Sequence, residues 1–196
     1  MMTCMKPEQM DLLIVHLIPK GDCVGAVRPI GLFPTLVRLL DRWFRWNYGR
    51  NWAGKQSSTS YLGVKGHCIE KGMWRQTVLA EFSTLVGRAF ATLLLDIVKA
   101  FEAVSHRILV EQARAQGFHP GLLRWLVTLF QQPRSICYQG VLTSPVCPTC
   151  SIVPGSSHAD ILMRVMIQPV VNMLKSRFPA CMLSVVVDDL QISMHG

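Results

Sequence analysis

The sequence predicts an α+β fold, on three observations. Two stretches read as antiparallel hairpins, several others carry helical apolar spacing, and strands and helices alternate too loosely for a doubly wound parallel sheet. The chain has 196 residues, half of them hydrophobic, enough for a sizeable core in one domain or a compact pair of subdomains. Residues 12–18 read as a strand, 21–25 as a turn, and Arg28-Pro29-Ile30 as the start of the returning strand. Residues 35–46 place apolar side chains at 36, 39, 40, 43 and 44, which predicts a helix, and the Gly-, Ser- and Asn-rich stretch 47–66 reads as loop. From residue 69 towards 90, apolar positions 74, 78, 82, 85, 86 and 90 mark the buried stripe of a long amphipathic helix. A strand over 90–95 follows, then helices near 106–116 and 121–131. Residues 133–148 suit an irregular hairpin, and 157–177 a helix that Pro169 should kink. Residues 183–187, with three consecutive valines, predict a buried strand.

The net charge of +8 favours an anionic partner, nucleic acid ahead of an acidic membrane surface. Seven cysteines, an odd number without framework spacing, read as reduced thiols. Cys147-Pro-Thr-Cys150 has half the spacing of a zinc site, but no second pair stands at a suitable distance, so it reads as a plain loop. Glu8 and Asp11 precede the first apolar run, the wrong order for a secretory signal, and no apolar stretch approaches the roughly 18 residues that span a bilayer.

The segment "VVVDDL", residues 185–190, sets two carboxylates side by side at the end of an apolar strand. Alone, it reads as a turn whose Asp side chains bond the local backbone. A second segment, "LLLDIVKAFEAV", residues 93–104, ends another strand in Asp96. If both strands deliver their acids at one sheet edge, Asp96 and Asp188 meet, and their mutual repulsion becomes affinity for a cation. Oxygen-only ligands suit Mg²⁺, and two such ions about 4 Å apart serve in-line phosphoryl transfer.

These segments carry a family resemblance. "LIPKGDCVGAVRPIGLFPTLVRLLDR", residues 17–42, resembles the fingertip hairpin of reverse transcriptases, most like those of non-LTR retrotransposons and group II introns. "LLLDIVKAFEAVSH" resembles their motif A, "SIVPGSS", residues 151–157, stands in the place of motif B, and "VVVDDL" in that of motif C. The order and spacing match the family along nearly the whole chain. The resemblance implies a polymerase fingers–palm fold, an antiparallel palm sheet packed on helices, truncated after motif C. Residues 1–90 would be a fingers-like region with the fingertip hairpin and a basic, aromatic segment. Residues 91–196 would be a palm-like region with motifs A, B and C, the two packing as one unit or as two.

The same resemblance implies roles. Asp96, Asp188 and Asp189 would be catalytic and would hold two Mg²⁺ ions, or Mn²⁺ in their place, with the Ile97 backbone carbonyl as a further ligand. Lys20 and Arg28 would meet the incoming deoxynucleoside triphosphate, and Phe101 would be the steric gate against a ribose 2′-hydroxyl; a core Phe is the competing reading. Gly155 would let backbone approach the nucleotide, although a turn into the following helix explains it equally well. The partners implied are an RNA template and a DNA primer, with no membrane, no stated oligomeric state, and action in the nucleus.

Residues 38–55 interleave Arg38, Arg42, Arg45, Arg50 and Lys55 with Trp43, Phe44, Trp46, Tyr48 and Trp52. Cations neutralise phosphates and aromatic faces stack on bases. Trp43 and Phe44 read as core, leaving Arg50, Trp52 and Lys55 as the candidates for template contact. Asp160 reads as a favourable charge in the first turn of a helix. The histidines at 67, 106, 119, 158 and 195 have no metal-ligand spacing and are assigned no chemistry.

The chain departs from the family at Pro154, where Gln is usual, at Ser151, where Gly is usual, and at Val186, where an aromatic is usual. Glu102 replaces an Asp. Seven residues follow Asp189, so the strand returning from the motif C turn is expected to be barely present, and the chain to be a piece without primer-gripping segment or thumb. Two readings follow: a fragment of an RNA-directed DNA polymerase, or an inactive remnant that at most binds nucleic acid.

Overall fold

The computed structural model describes residues 12–21, 26–56, 59–64 and 66–195. The chain divides into two compact units, Met1–Gly54 with Phe101–Val165, and Lys55–Ala100 with Met166–Gly196.

In the first unit, β1 (Leu13–Pro19) and β2 (Val27–Leu32) form the expected hairpin, in register from Ile14↔Leu32 to Pro19↔Val27. The Lys20 N–H donates to the Ala26 carbonyl at 2.8 Å, and most of the predicted turn, residues 22–25, lies outside the described residues. On its other side β1 pairs in parallel with β4 (Arg134–Tyr138), which turns through Gln139 and Gly140, both at positive φ, into β5 (Val141–Leu142). A parallel pair needs a long crossover, and this one spans α1 (Thr35–Phe44), α2 (Arg50–Lys55), α4 (His106–Ala115) and α5 (Pro120–Phe130) among its connections. Helix α5 starts where Pro120 needs no N–H donor and His119 Nδ1 accepts from Leu122 N. It buries Leu122, Leu123, Leu126, Leu129 and Phe130, each side chain stabilising by about 1.5–3 kcal/mol.

Residues 47–66 are not all loop. The chain continues from α1 through a π-helical turn, Arg45–Gly49, into α2. Asn and Gly weigh against helix by propensity, but Gly49 is the residue that fits: a Cβ there would meet Ile161 Cδ1 at 3.1 Å and the His158 ring at 3.2 Å. Trp52 then pins α2 by donating from Nε1 to the Gln116 carbonyl at 3.0 Å.

The second unit is built on a three-stranded antiparallel sheet of order β3-β7-β6, with β3 Phe90–Asp96, β6 Met182–Val186 and β7 Asp189–His195. The returning strand is therefore not vestigial. β7 is the central strand, paired residue for residue with β3 from Phe90↔His195 to Asp96↔Asp189, and with β6 from Met182↔Ser193 to Val186↔Asp189. Seven residues suffice because every one of them has a ladder partner. Residues 60–62 close the far edge of β6, with Val185 N donating to the Ser60 carbonyl at 2.7 Å and Leu62 N to the Val185 carbonyl at 2.9 Å.

Two helices face the opposite way from their apolar spacing. In α1 the buried residues are Val37 and Asp41, while Leu36, Leu39, Leu40 and Trp43 are exposed. Helix α3 (Ile69–Leu85) buries Gln76 and Ser83, while Trp74, Val78, Phe82 and Leu85 face outward, Leu85 at 84% exposure. Close approach selects the inner face of α3. A Cβ on Gly72 would fall 2.3 Å from Leu62 Cδ1, and Gln76 Nε2 donates to Ser184 Oγ of β6 at 3.2 Å. Helix α6 (Ala159–Arg177) runs through Pro169 and buries Ile161, Leu162, Met163 and Val165 in its first turns. No helix among the described residues is long and apolar enough to cross a membrane.

Candidate active site

The β6–β7 hairpin turns through two residues, Val187 and Asp188, between the paired Val186 and Asp189. Val187 has φ of 55°. Glycine usually takes that place in a two-residue turn, and a β-branched residue there stores strain of the order of 1–3 kcal/mol. The turn fixes where the acids go. Asp189 opens β7 directly opposite Asp96, the last residue of β3, and opposed residues on adjacent strands share a face with Cβ atoms roughly 4.5–5.5 Å apart. Asp188 lies in the turn itself, and Ile97 follows β3 as the chain leaves the sheet. Asp96 and Asp189 are exposed and Asp188 is half-buried.

None of the three carboxylates has a hydrogen bond or ion pair among the described residues, so the reading of Asp188 and Asp189 as a locally hydrogen-bonded turn finds no support. All-oxygen donors with uncompensated charge fit a hard divalent cation in chemistry. Their placement is looser: among the described residues no three His, Cys, Asp or Glu side chains converge enough to hold a metal ion. The free thiols Cys147 and Cys150 are exposed in a loop and make no such group either.

The other candidates belong to the first unit, except Lys55, which opens the second. Lys20 and Arg28 are exposed, Arg28 opposite Ile18 in the hairpin. Phe101 is half-exposed, and its carbonyl accepts from Ile152 N at 2.8 Å. That bond begins a run of attachments along 151–160. Ser151, where a glycine was expected, has φ of 104° and is buried. Its N–H donates to the Val104 carbonyl at 2.7 Å, its Oγ accepts from Arg134 at 2.6 Å, and its carbonyl accepts from His106 Nε2 at 2.8 Å. Burial pushes the His106 pKa down, and the Arg134 charge adds to this against the raising effect of the Ser151 bond. Gly155 has φ of 103°, and a Cβ on it would stand 2.8 Å from the Gly31 carbonyl oxygen. The close approach that demands glycine at 155 is thus to β2 of the same chain, reinforced by Gly31 N donating to the Pro154 carbonyl at 2.7 Å.

A buried charge network, which spacing gave no sign of, completes the attachment. Asp41 accepts from Ser157 N and Oγ, each at 2.7 Å, and from Ser156 Oγ at 3.2 Å, and its other oxygen meets His158 Nδ1 at 2.6 Å. Burial pushes the Asp41 pKa up, but the bonds and charge from His158 and Ser157 outweigh it and hold the carboxyl below its ordinary value. Nearby, Arg45 grips Asp160 through two bonds, 2.6 and 2.8 Å, and also donates to the Ser157 carbonyl. The only signal in the sequence was an aspartate one turn after Val37, on the face opposite the leucines.

One template candidate is corrected. Trp52 is 5% exposed, with its indole hydrogen-bonded and its ring 5.4 Å from Phe118; a ring so enclosed has no face for a base. Arg50 and Lys55 are exposed, and so is Trp43, which was expected in the core.

No family model matches this chain. It is 25% identical over 149 residues to the retrovirus-related Pol polyprotein from type-1 retrotransposable element R2 of Bradysia coprophila, a match covering 74% of this chain and 16% of that protein. Among solved structures it is similar to apo telomerase from Candida tropicalis truncated from its C-terminal domain, with TM-score 0.63 at 12% identity over 95% of this chain and 44% of the other. The telomerase of Candida tropicalis in complex with a TWJ fragment of telomeric RNA gives TM-score 0.64 at 11% identity, over 94% and 36%. That of Candida albicans in the corresponding complex gives 0.62 at 11%, over 96% and 39%. At such identity the structural likeness is one of fold. The chain spans about a sixth of the length of the curated relative it matches.

Proposed function

Taking the reverse transcriptase domain as the family to which this chain belongs, we propose that it is the fingers-and-palm part of an RNA-directed DNA polymerase, extending a DNA primer on an RNA template. The observation that supports this reading is the register of the second sheet, which sets Asp96 opposite Asp189 beside the strained Val187-Asp188 turn. Asp96, Asp188 and the Ile97 carbonyl would hold Mg²⁺, with Asp189 completing the acidic edge and Mn²⁺ able to substitute. Two such ions, when bound, activate the primer 3′-hydroxyl and stabilise the leaving pyrophosphate. Lys20 and Arg28, exposed along the β1–β2 hairpin without acidic partners among the described residues, would bind the triphosphate, Arg28 as a planar fork and Lys20 as a point charge. Phe101 would exclude the ribonucleotide by steric clash, its backbone held to the 151–157 segment. Gly155 shapes that segment by packing on Gly31. Its action would be nuclear, where a chromosomal primer is found.

One observation favours the competing reading, a remnant that keeps the fold and loses the chemistry: no three acidic side chains converge among the described residues. Primer extension separates the two. The polymerase reading expects deoxynucleotide incorporation on primed homopolymer RNA with Mg²⁺ or Mn²⁺, abolished in Asp188→Asn. Absence of incorporation at any protein concentration, with folded protein, supports the remnant.

A further inference from the structure

The segment 38–55 contains a surface that the core position of Trp52 leaves unexplained. Arg42, Arg45, Trp46, Arg50 and Ser157 line a cleft of about 410 Å³ in the first unit, within the usual size of a ligand pocket. Trp46 is 65% exposed, and the Arg50 guanidinium carbon stands 4.1 Å from its ring centroid. The guanidinium thus covers one face of the exposed indole in a cation–π contact. Behind them the segment is stiffened by edge-on packing of Trp43 on Phe44 and Tyr48, at 5.2 and 6.1 Å, and by Phe44 against Trp125 at 5.8 Å.

The charges are unbalanced. Three guanidiniums line one cleft; of the carboxylates near them, Asp160 is committed to Arg45 through two hydrogen bonds, and Asp41, whose charge also acts on Arg45, is committed to Ser156, Ser157 and His158. Arg42 and Arg50 have no acidic partner among the described residues. Converging like charges repel, and the arrangement is satisfied by a ligand that brings negative charge together with a flat face. The π-helical turn Arg45–Gly49 supplies Trp46 and delivers Arg50, and such turns occur often at functional sites.

We propose that this cleft is a binding site for single-stranded nucleic acid, in which a base stacks on the Trp46–Arg50 surface and Arg42 and Arg50 neutralise flanking phosphates. The site deepens the polymerase reading by giving the strand a place on the first unit, but its test needs no chemistry. Base stacking and phosphate neutralisation are common to both kinds of strand, so RNA and DNA of one sequence should bind alike. An acidic peptide lacks the flat face and binds more weakly than a strand of equal charge.

Fluorescence anisotropy of a labelled 12-nucleotide strand, titrated with the full chain in EDTA without nucleotides, tests it. Trp46→Ala should weaken binding roughly ten- to hundred-fold with the salt dependence unchanged, and Trp46→Phe should restore most of the loss. The double variant Arg42→Gln with Arg50→Gln should lower the slope of log affinity against log salt by about 1.4, near 0.7 for each phosphate contact. Asp188→Asn should bind like the wild type, so failed primer extension leaves the site standing. Unchanged affinity in Trp46→Ala, an unchanged salt slope in the double variant, or competition by polyglutamate as effective as by RNA would each overturn the proposal.

Discussion

Asp96→Asn should have opposite effects with and without divalent cation, and both follow from one register pair. Asp96 and Asp189 face each other across β3 and β7 without a compensating cation among the described residues. Like charges directly opposite on adjacent strands destabilise by roughly 0.2–1 kcal/mol, the range Coulomb's law gives for exposed charges about 5 Å apart in water. Removing one charge should therefore stabilise the metal-free chain by about 0.5 kcal/mol, a rise in Tm of roughly 1–2 °C for a chain of this size. Mg²⁺ at ten times its dissociation constant should stabilise the wild type by about 1.4 kcal/mol, or roughly 3–6 °C, and the variant by much less. Thermal melts at low ionic strength, in EDTA and then in Mg²⁺ with salt matched, read both effects. A lower Tm for Asp96→Asn in EDTA, or an equal Mg²⁺ shift in the two proteins, would refute the reasoning.

The buried Asp41 predicts a pH signature. Its carboxyl is held below the ordinary value of 3.8 by His158 and Ser157 against the effect of burial, so its contribution is complete above that value and disappears as pH falls through the lower, folded pKa. Asp41→Asn should cost about 3 kcal/mol in urea unfolding at pH 7, a gap from wild type that narrows only below about pH 4; a gap independent of pH down to that range and below argues against the network. At Ser151, held at φ of 104°, Gly and Ala substitutions both lose the Arg134 bond but only Ala keeps the strained Cβ. Ser151→Gly should exceed Ser151→Ala in stability by about 1 kcal/mol after the entropy of glycine is counted, and equal urea midpoints would contradict that.

The positions of most elements were legible because periodicity and punctuation act locally. β1, β2, β3 and β6 stand within a residue or two of their sequence expectation, as do α4, α5 and α6, and Asp189 opens β7 opposite Asp96 at the end of β3. What spacing reports is that a helix has an apolar stripe; what that stripe packs on is outside its reach. In α3 the stripe Trp74, Val78, Phe82 and Leu85 faces outward, while on the inner face Gly72 lies close to Leu62 and Gln76 bonds Ser184 of β6. In α1 the polar exception, Asp41, is the residue taken inside, because Ser156, Ser157 and His158 supply its hydrogen bonds.

By itself, then, the sequence determined the fold class, the order of its elements and the residue types at the acidic edge, since these depend on neighbours a few positions away. The tertiary structure decided that seven residues make the central strand β7, that Trp52 is core while Trp46 is surface, and that Gly155 answers to Gly31. Those outcomes depend on which distant backbone comes within a van der Waals radius, a condition written in no local stretch of the chain.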